Sequence, residues 1–171
     1  TPENRLLLAG KRELEIRVGR NLVPLGKKHP KTLLEGWMPI VLLSVEDGPV
    51  RYEVRIWASP LPSVRDWRAA FDWPTEGENY LNFVHVSASN RGDQASEAAF
   101  EIFLDRPEPK AIRTQRWNLA PGESAAASAW IPFAPLEAGS LPNDIDAQLW
   151  QERTIAYWRE LLDGAATIEV P

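Results

Sequence analysis

A chain with no cysteine and only two histidines, His29 and His85, has few ways to build a nucleophile, a general base or a metal centre. His29 precedes Pro30 in a polar stretch, and His85 falls on the outward side of an alternating run. A His-ligated metal or a Ser-His-Asp arrangement therefore has no support in the spacing. No glycine-rich phosphate loop, Gly-x-Ser-x-Gly elbow or His-Glu-x-x-His helix occurs. Carboxylate chemistry and aromatic stacking remain. Asp66 with Asp72, and Glu76 with Glu78, could flank a glycosidic bond, because two carboxyl groups need only meet in space. With 24 acidic residues, chance pairs are common, and solvated loop charges are the expectation. Trp67, Phe71 and Trp73 share that segment and offer flat faces of the kind on which sugar rings stack. Arg65, Asp66, Arg68 and Asp72 beside them could bond to hydroxyl groups. Packing of a long loop on its own rings is the other reading, and the residues alone leave both open. No catalytic residue, metal ligand or cofactor site is assigned.

These side chains lie between Ser59 and Asn79, where periodicity stops and Pro60, Pro62, Pro74 and Gly77 interrupt the chain; Arg65 to Phe71 could hold a helical turn or two. The elements that must position them are strands. Arg12 to Val18 alternates, with Leu14, Ile16 and Val18 on one side. Val50, Tyr52, Val54 and Ile56 alternate with Arg51, Glu53 and Arg55 in the clearest period-two pattern of the chain. Trp37 to Val45 is nearly all apolar, as expected of a strand covered on both faces. From Leu81 to Leu104 the sequence reads as two strands joined by Asn90-Arg91-Gly92-Asp93, with Val84, Val86 and Ala88 facing the same core as Ala98, Phe100, Ile102 and Leu104. His85, Ser87, Ser89, Glu97 and Glu101 then face outward, and Gly92 is expected to take a left-handed backbone. Ile112 to Leu119 and Ser124 to Phe133 complete the set. Leu22 to Lys31 reads as a loop or edge segment.

The pattern changes at residue 143. From Asn143 to Asp163, Ile145, Leu149, Trp150, Ala156, Tyr157, Trp158 and Leu161 recur at helical spacing, with Asn143 as the expected N-cap and Gly164 as the stop. The fold class is therefore mainly β, a two-sheet antiparallel sandwich over residues 1–142, with a C-terminal helix and linker over 143–171. Length fits one domain or one domain with a helical appendage. A formal charge of -5 and a pI near 5.1 argue against nucleic acid or an anionic membrane surface as partner, with Lys27-Lys28-His29 too small a basic cluster to change that. Leu6-Leu7-Leu8 is too short for a membrane span. Eight Trp and 15 Pro stand out, the prolines fitting many short strands with punctuated edges.

The helix carries a resemblance. Trp150-Gln-Glu-Arg-Thr-Ile-Ala-Tyr157-Trp158-Arg-Glu-Leu161-Leu162, followed by Ile168-Glu-Val170-Pro171, resembles the joint of bacterial six-hairpin glycosidase-like proteins, where a β-sandwich gives way to an (α/α)6 barrel. Trp57-Ala-Ser-Pro60, Asn90-Arg-Gly92 and Leu119-Ala-Pro-Gly122-Glu-Ser are also similar to the sandwich of that group. The resemblance implies a non-catalytic N-terminal accessory domain of a bacterial glycoside hydrolase-like protein. It places the catalytic carboxylates beyond Pro171, so none carries over. The implied partner is the following barrel, met through Trp150, Tyr157, Trp158 and Leu161, and a glycan at the rim is a second. Two alternatives stand beside it, a free-standing carbohydrate-binding module using Trp67 and Trp73, and a purely structural interaction domain. An enzyme in its own right ranks last.

Overall fold

The alternation from Val50 to Ile56 commits that segment to a strand with one apolar face. In the computed structural model, which describes residues 4–70, 79–106, 109–137, 141 and 144–163, it forms the middle of a five-stranded sheet. The strands in chain order are β1 (Leu6–Leu8), β2 (Arg12–Val18), β3 (Val23–Pro24), β4 (Lys31–Leu34), β5 (Met38–Asp47) and β6 (Val50–Pro60). After the single-turn helix α1 (Trp67–Ala70) come β7 (Tyr80–Asn90), β8 (Ser96–Arg106), β9 (Lys110–Leu119) and β10 (Ser124–Pro132), and then helix α2 (Ala147–Asp163). One sheet has the order β10-β7-β6-β5-β4. The other runs β1-β2-β8-β9, with β3 also paired to β2, and every pairing is antiparallel.

The two sheets bury the faces that the alternation marks. Leu14, Ile16 and Val18 of β2 and Ala98, Phe100, Ile102 and Leu104 of β8 meet Val50, Tyr52, Val54 and Ile56 of β6 and Val84, Val86 and Ala88 of β7 in one core. This is a β-sandwich with a C-terminal helix. β7 and β8, however, are not a hairpin. They lie in opposite sheets, so the segment between Asn90 and Ser96 crosses from one layer to the other, and the facing apolar series are inner faces of two sheets rather than neighbours in one. Gly92 likewise does not take a left-handed backbone. Its missing side chain matters for space, because a Cβ there would lie 2.8 Å from the Cβ of Pro49.

Tyr52 crosses the sandwich. Its ring is fully buried, and its hydroxyl accepts a hydrogen bond of 3.2 Å from the backbone N–H of Ala99 on β8. The ladder between β2 and β8 extends to Val18 opposite Phe100, so the hydroxyl serves an amide that lies just past the last paired residue. Burial pushes the phenol's pKa up, keeping it neutral. Tyr52→Phe should lower stability by about 1–3 kcal/mol, the cost of stranding a buried donor. A denaturant midpoint equal to wild type would show that the Ala99 amide finds another acceptor.

A second core lies on the outer face of the β10-β7-β6-β5-β4 sheet. Met38 and Ile40 of β5, Trp57 of β6 and Leu81 and Phe83 of β7 are covered there by Leu61, Trp67, Ile145, Ala147 and Trp150. β5 is thus covered on both faces, since Leu43 points into the sandwich while Met38 and Ile40 point under the helix. The helix starts later than Asn143, which lies outside the described residues. Asp146 is the N-cap, its Oδ1 accepting from the amides of Gln148 at 3.0 Å and Leu149 at 3.1 Å. Ile145 just before the cap and Trp150 four residues after it join the same cluster, a hydrophobic staple that fixes how the chain enters the helix. The proposed helix stop at Gly164 and the segment Ile168 to Pro171 also fall outside the described residues.

Candidate functional site

The aromatic loop residues divide. Trp67 opens α1 and is only 8% exposed, because its ring stacks on Trp150 of α2 with centroids 5.7 Å apart and meets Tyr157 at 5.6 Å. The Arg153 guanidinium sits 5.0 Å from the Trp67 ring and 4.6 Å from that of Trp150. The ring offered as a sugar platform is thus held within this chain's own second core. Arg65 and Asp66 are exposed, and Asp66 caps α1 by accepting from the amides of Arg68 and Ala69 at 3.0 and 3.2 Å. Phe71, Asp72, Trp73, Glu76 and Glu78 lie outside the described residues, so neither proposed carboxylate pair can be placed.

Of the helix residues expected at a domain interface, Trp150 is buried against the sandwich, and Tyr157 and Trp158 are half-buried beside it. Thr154, a polar residue whose position on the helix gives no sign of burial, is fully buried. It donates to the carbonyl of Trp150 at 2.8 Å and so accepts from the Ser59 hydroxyl at 2.6 Å, pinning the helix to β6. Leu161 is 38% exposed, and its neighbour Leu162 is 44% exposed. The last turns are flanked by ion pairs of Arg159 with Glu35 and of Glu160 with Arg68.

A group of carboxylates elsewhere is held by guanidinium groups. On the outer face of the sheet that contains β2 and β8, Arg5 bonds Glu13, Glu15 and Asp105 at 2.6–3.0 Å. Arg17 bonds Glu15 and Glu101 at 2.9 and 3.0 Å while lying 3.7 Å over the Phe103 ring. These carboxylates are thus tied into ion pairs that link β2, β8 and the segment before β1. Among the described residues no group of three His, Asp or Glu side chains could hold a metal ion.

A cleft of about 320 Å³ opens where α2 leans over β6 and β7. Arg55, Trp57 and His85 form its floor, and Ala147, Gln148, Gln151, Glu152 and Ile155 form the helical wall. The register of the sheet explains the floor: Arg55 pairs with His85 across β6 and β7, and His85 with Ser128 across β7 and β10. His85 Nδ1 is 2.8 Å from the Ser128 hydroxyl. Burial, and then the charge of Arg55, hold the imidazole below its usual pKa of 6.5. The residues come from three distant stretches, so nothing in local spacing could have gathered them.

His85 has a consequence for stability. A histidine whose pKa is depressed on folding contributes nothing while both states are neutral, above pH 6.5. As pH falls below that value the unfolded chain binds a proton that the folded chain refuses, so stability drops until the lower folded pKa is reached. His85→Gln should therefore flatten the loss of stability between about pH 7 and about pH 5. Denaturant midpoints across that range check it, and parallel curves for variant and wild type would place His85 outside the effect.

No family model, curated protein or solved structure matches this chain.

Proposed function

We propose that this chain is a non-catalytic accessory β-sandwich of a glycoside hydrolase-like protein, with α2 as the joint to a following (α/α)6 barrel. The observation that carries the reading is an apolar stripe that outlasts the surface covering it. Ala147, Trp150 and Thr154 are buried, Tyr157 and Trp158 half-buried, and Leu161 and Leu162 lie open on the last turn. A helix anchored at its start and apolar at its end suits a joint that receives a second domain. The similarity of Trp150 to Pro171 to the sandwich-barrel joint supplies the identity of that domain. Glycan contact through Trp67 is the less favoured route, since that ring is already packed against Trp150 and Tyr157.

The test uses the polypeptide encoded directly after Pro171. Leu161→Asp combined with Leu162→Asp should leave the isolated chain within about 0.5 kcal/mol of wild-type stability, as exposed positions do. The same pair should abolish association with the downstream polypeptide, and the isolated chain should turn over none of a panel of glycosides. A reading frame that ends at Pro171, unfolding of the double variant, or turnover by the pure chain would each overturn the reading.

A further inference from the structure

We infer that the cleft between α2 and the β6–β7 floor is a binding site for one neutral hydroxylated ring, a single pyranoside unit. The reason is a pair of buried donors with nothing to bond among the described residues. Trp57 is 3% exposed, with its ring stacked on Phe83 at 5.0 Å, and its indole N–H has no hydrogen-bond partner among the described residues. The Nε2 amide group of Gln151 is also buried and has no partner among the described residues, and both residues line the cleft. A buried N–H left unpaired is costly, so two in one cleft call for an oxygen-bearing occupant.

The charge of the walls selects the class. Arg55 on the strand side faces Glu152 on the helix side, and the neutral form of His85 adds no charge, so an ion of either sign would meet one matching and one opposing group. Glu152 Oε1 already accepts from Gln148 Nε2 at 3.0 Å, which leaves no cluster of free acceptors for an ammonium group. Hydroxyl groups both donate and accept, so a polyol satisfies Trp57, Gln151, Arg55 and Glu152 together. Ala147, Ile155 and the Trp57 ring supply apolar surface for the C–H face of such a ring. At 320 Å³ the cleft lies at the small end of the range for ligand sites, which suits one ring rather than a chain of them. This inference goes beyond the accessory-domain reading and does not need the downstream domain.

The test is a titration of the isolated chain with methyl glucoside, methyl galactoside and methyl mannoside, followed through assigned indole N–H resonances in nitrogen-15 NMR spectra. The Trp57 resonance should move in a saturable way with at least one of them. Gln151→Leu, which keeps a strong helix former at that position, and Glu152→Gln, at an exposed one, should each weaken binding roughly tenfold, the worth of one polar contact. No saturable shift with any pyranoside overturns the inference, as does a shift that persists unchanged in both variants. Inorganic phosphate or glycine moving the Trp57 resonance where the pyranosides fail would mark an ion site and overturn it too. None of these failures touches the joint, whose test depends on Leu161 and Leu162 alone.

Discussion

Trp150→Ala should lower the unfolding free energy by about 3–5 kcal/mol, as loss of a core tryptophan does, and should release α2 from the sandwich. Trp150 is the centre of the second core. It stacks on Trp67, lies 6.4 Å from Phe83, and sits four residues past the N-cap, where Ile145 staples against it. Removing it opens a cavity under the helix and exposes the faces of Trp67 and Phe83. A free helix of 17 residues is marginal in water, so its order depends on that surface. Circular dichroism should show a loss of helical signal before the sandwich melts. A stability loss under about 1 kcal/mol with the helical signal intact would mean that Thr154 and Tyr157 hold α2 by themselves.

Asn90→Ala should cost about 2–4 kcal/mol, and Asn90→Asp nearly as much. Asn90 ends β7 where the chain leaves one sheet for the other, and it is buried to 1% exposure. Its Nδ2 donates to the carbonyls of Gln94, Leu119 and Ala120 at 2.7, 2.9 and 3.2 Å, while Oδ1 accepts from the Gly92 amide at 2.9 Å. Its backbone also bonds to Glu123 and Gly122, so one residue ties the crossover to the turn between β9 and β10. Aspartate keeps the acceptor toward Gly92 and loses every donation, which is why it does not rescue. If Asn90→Asp melts with wild type, the two Nδ2 hydrogens, shared among three carbonyls, carry no stability and the crossover is held by its backbone bonds.

Period-two patterning made β2, the first part of β6, β7 and β8 legible, because alternate residues of each enter the core between the sheets. β1 and β4 were not read as strands. Leu6-Leu7-Leu8 has no alternation, and Lys31 to Leu34 is four residues on a sheet edge, so both exist through their partners β2 and β5 rather than through local preference. The two strands and their shared core are legible from the apolar series of β7 and β8, but whether they pair directly is not; the pairing of β7 with β6 and of β8 with β2 decides that they belong to different layers. The helix start shifted from Asn143 to Asp146 because both residues can cap, and burial of Ile145 and Ala147 selects the second.

The site was less legible than the fold. Trp67 and Trp150 are 83 positions apart and their stacking has no signature in either segment. Local pattern makes one a loop ring and the other a helix ring, and long-range packing joins them. The cleft has the same origin: His85 read correctly as facing outward, but what it faces is α2, and the unpartnered Trp57 and Gln151 donors exist only because helix and sheet meet there.

The central claim, that α2 is built into the sandwich at its start and open to a partner at its end, is tested most directly by amide hydrogen exchange along the helix. In the isolated chain, amides from Gln151 to Tyr157 should exchange slowly and those from Glu160 to Asp163 quickly, and addition of the polypeptide encoded after Pro171 should slow the second group. Uniform protection along α2 in the isolated chain, or a second group unchanged by that addition, would contradict it.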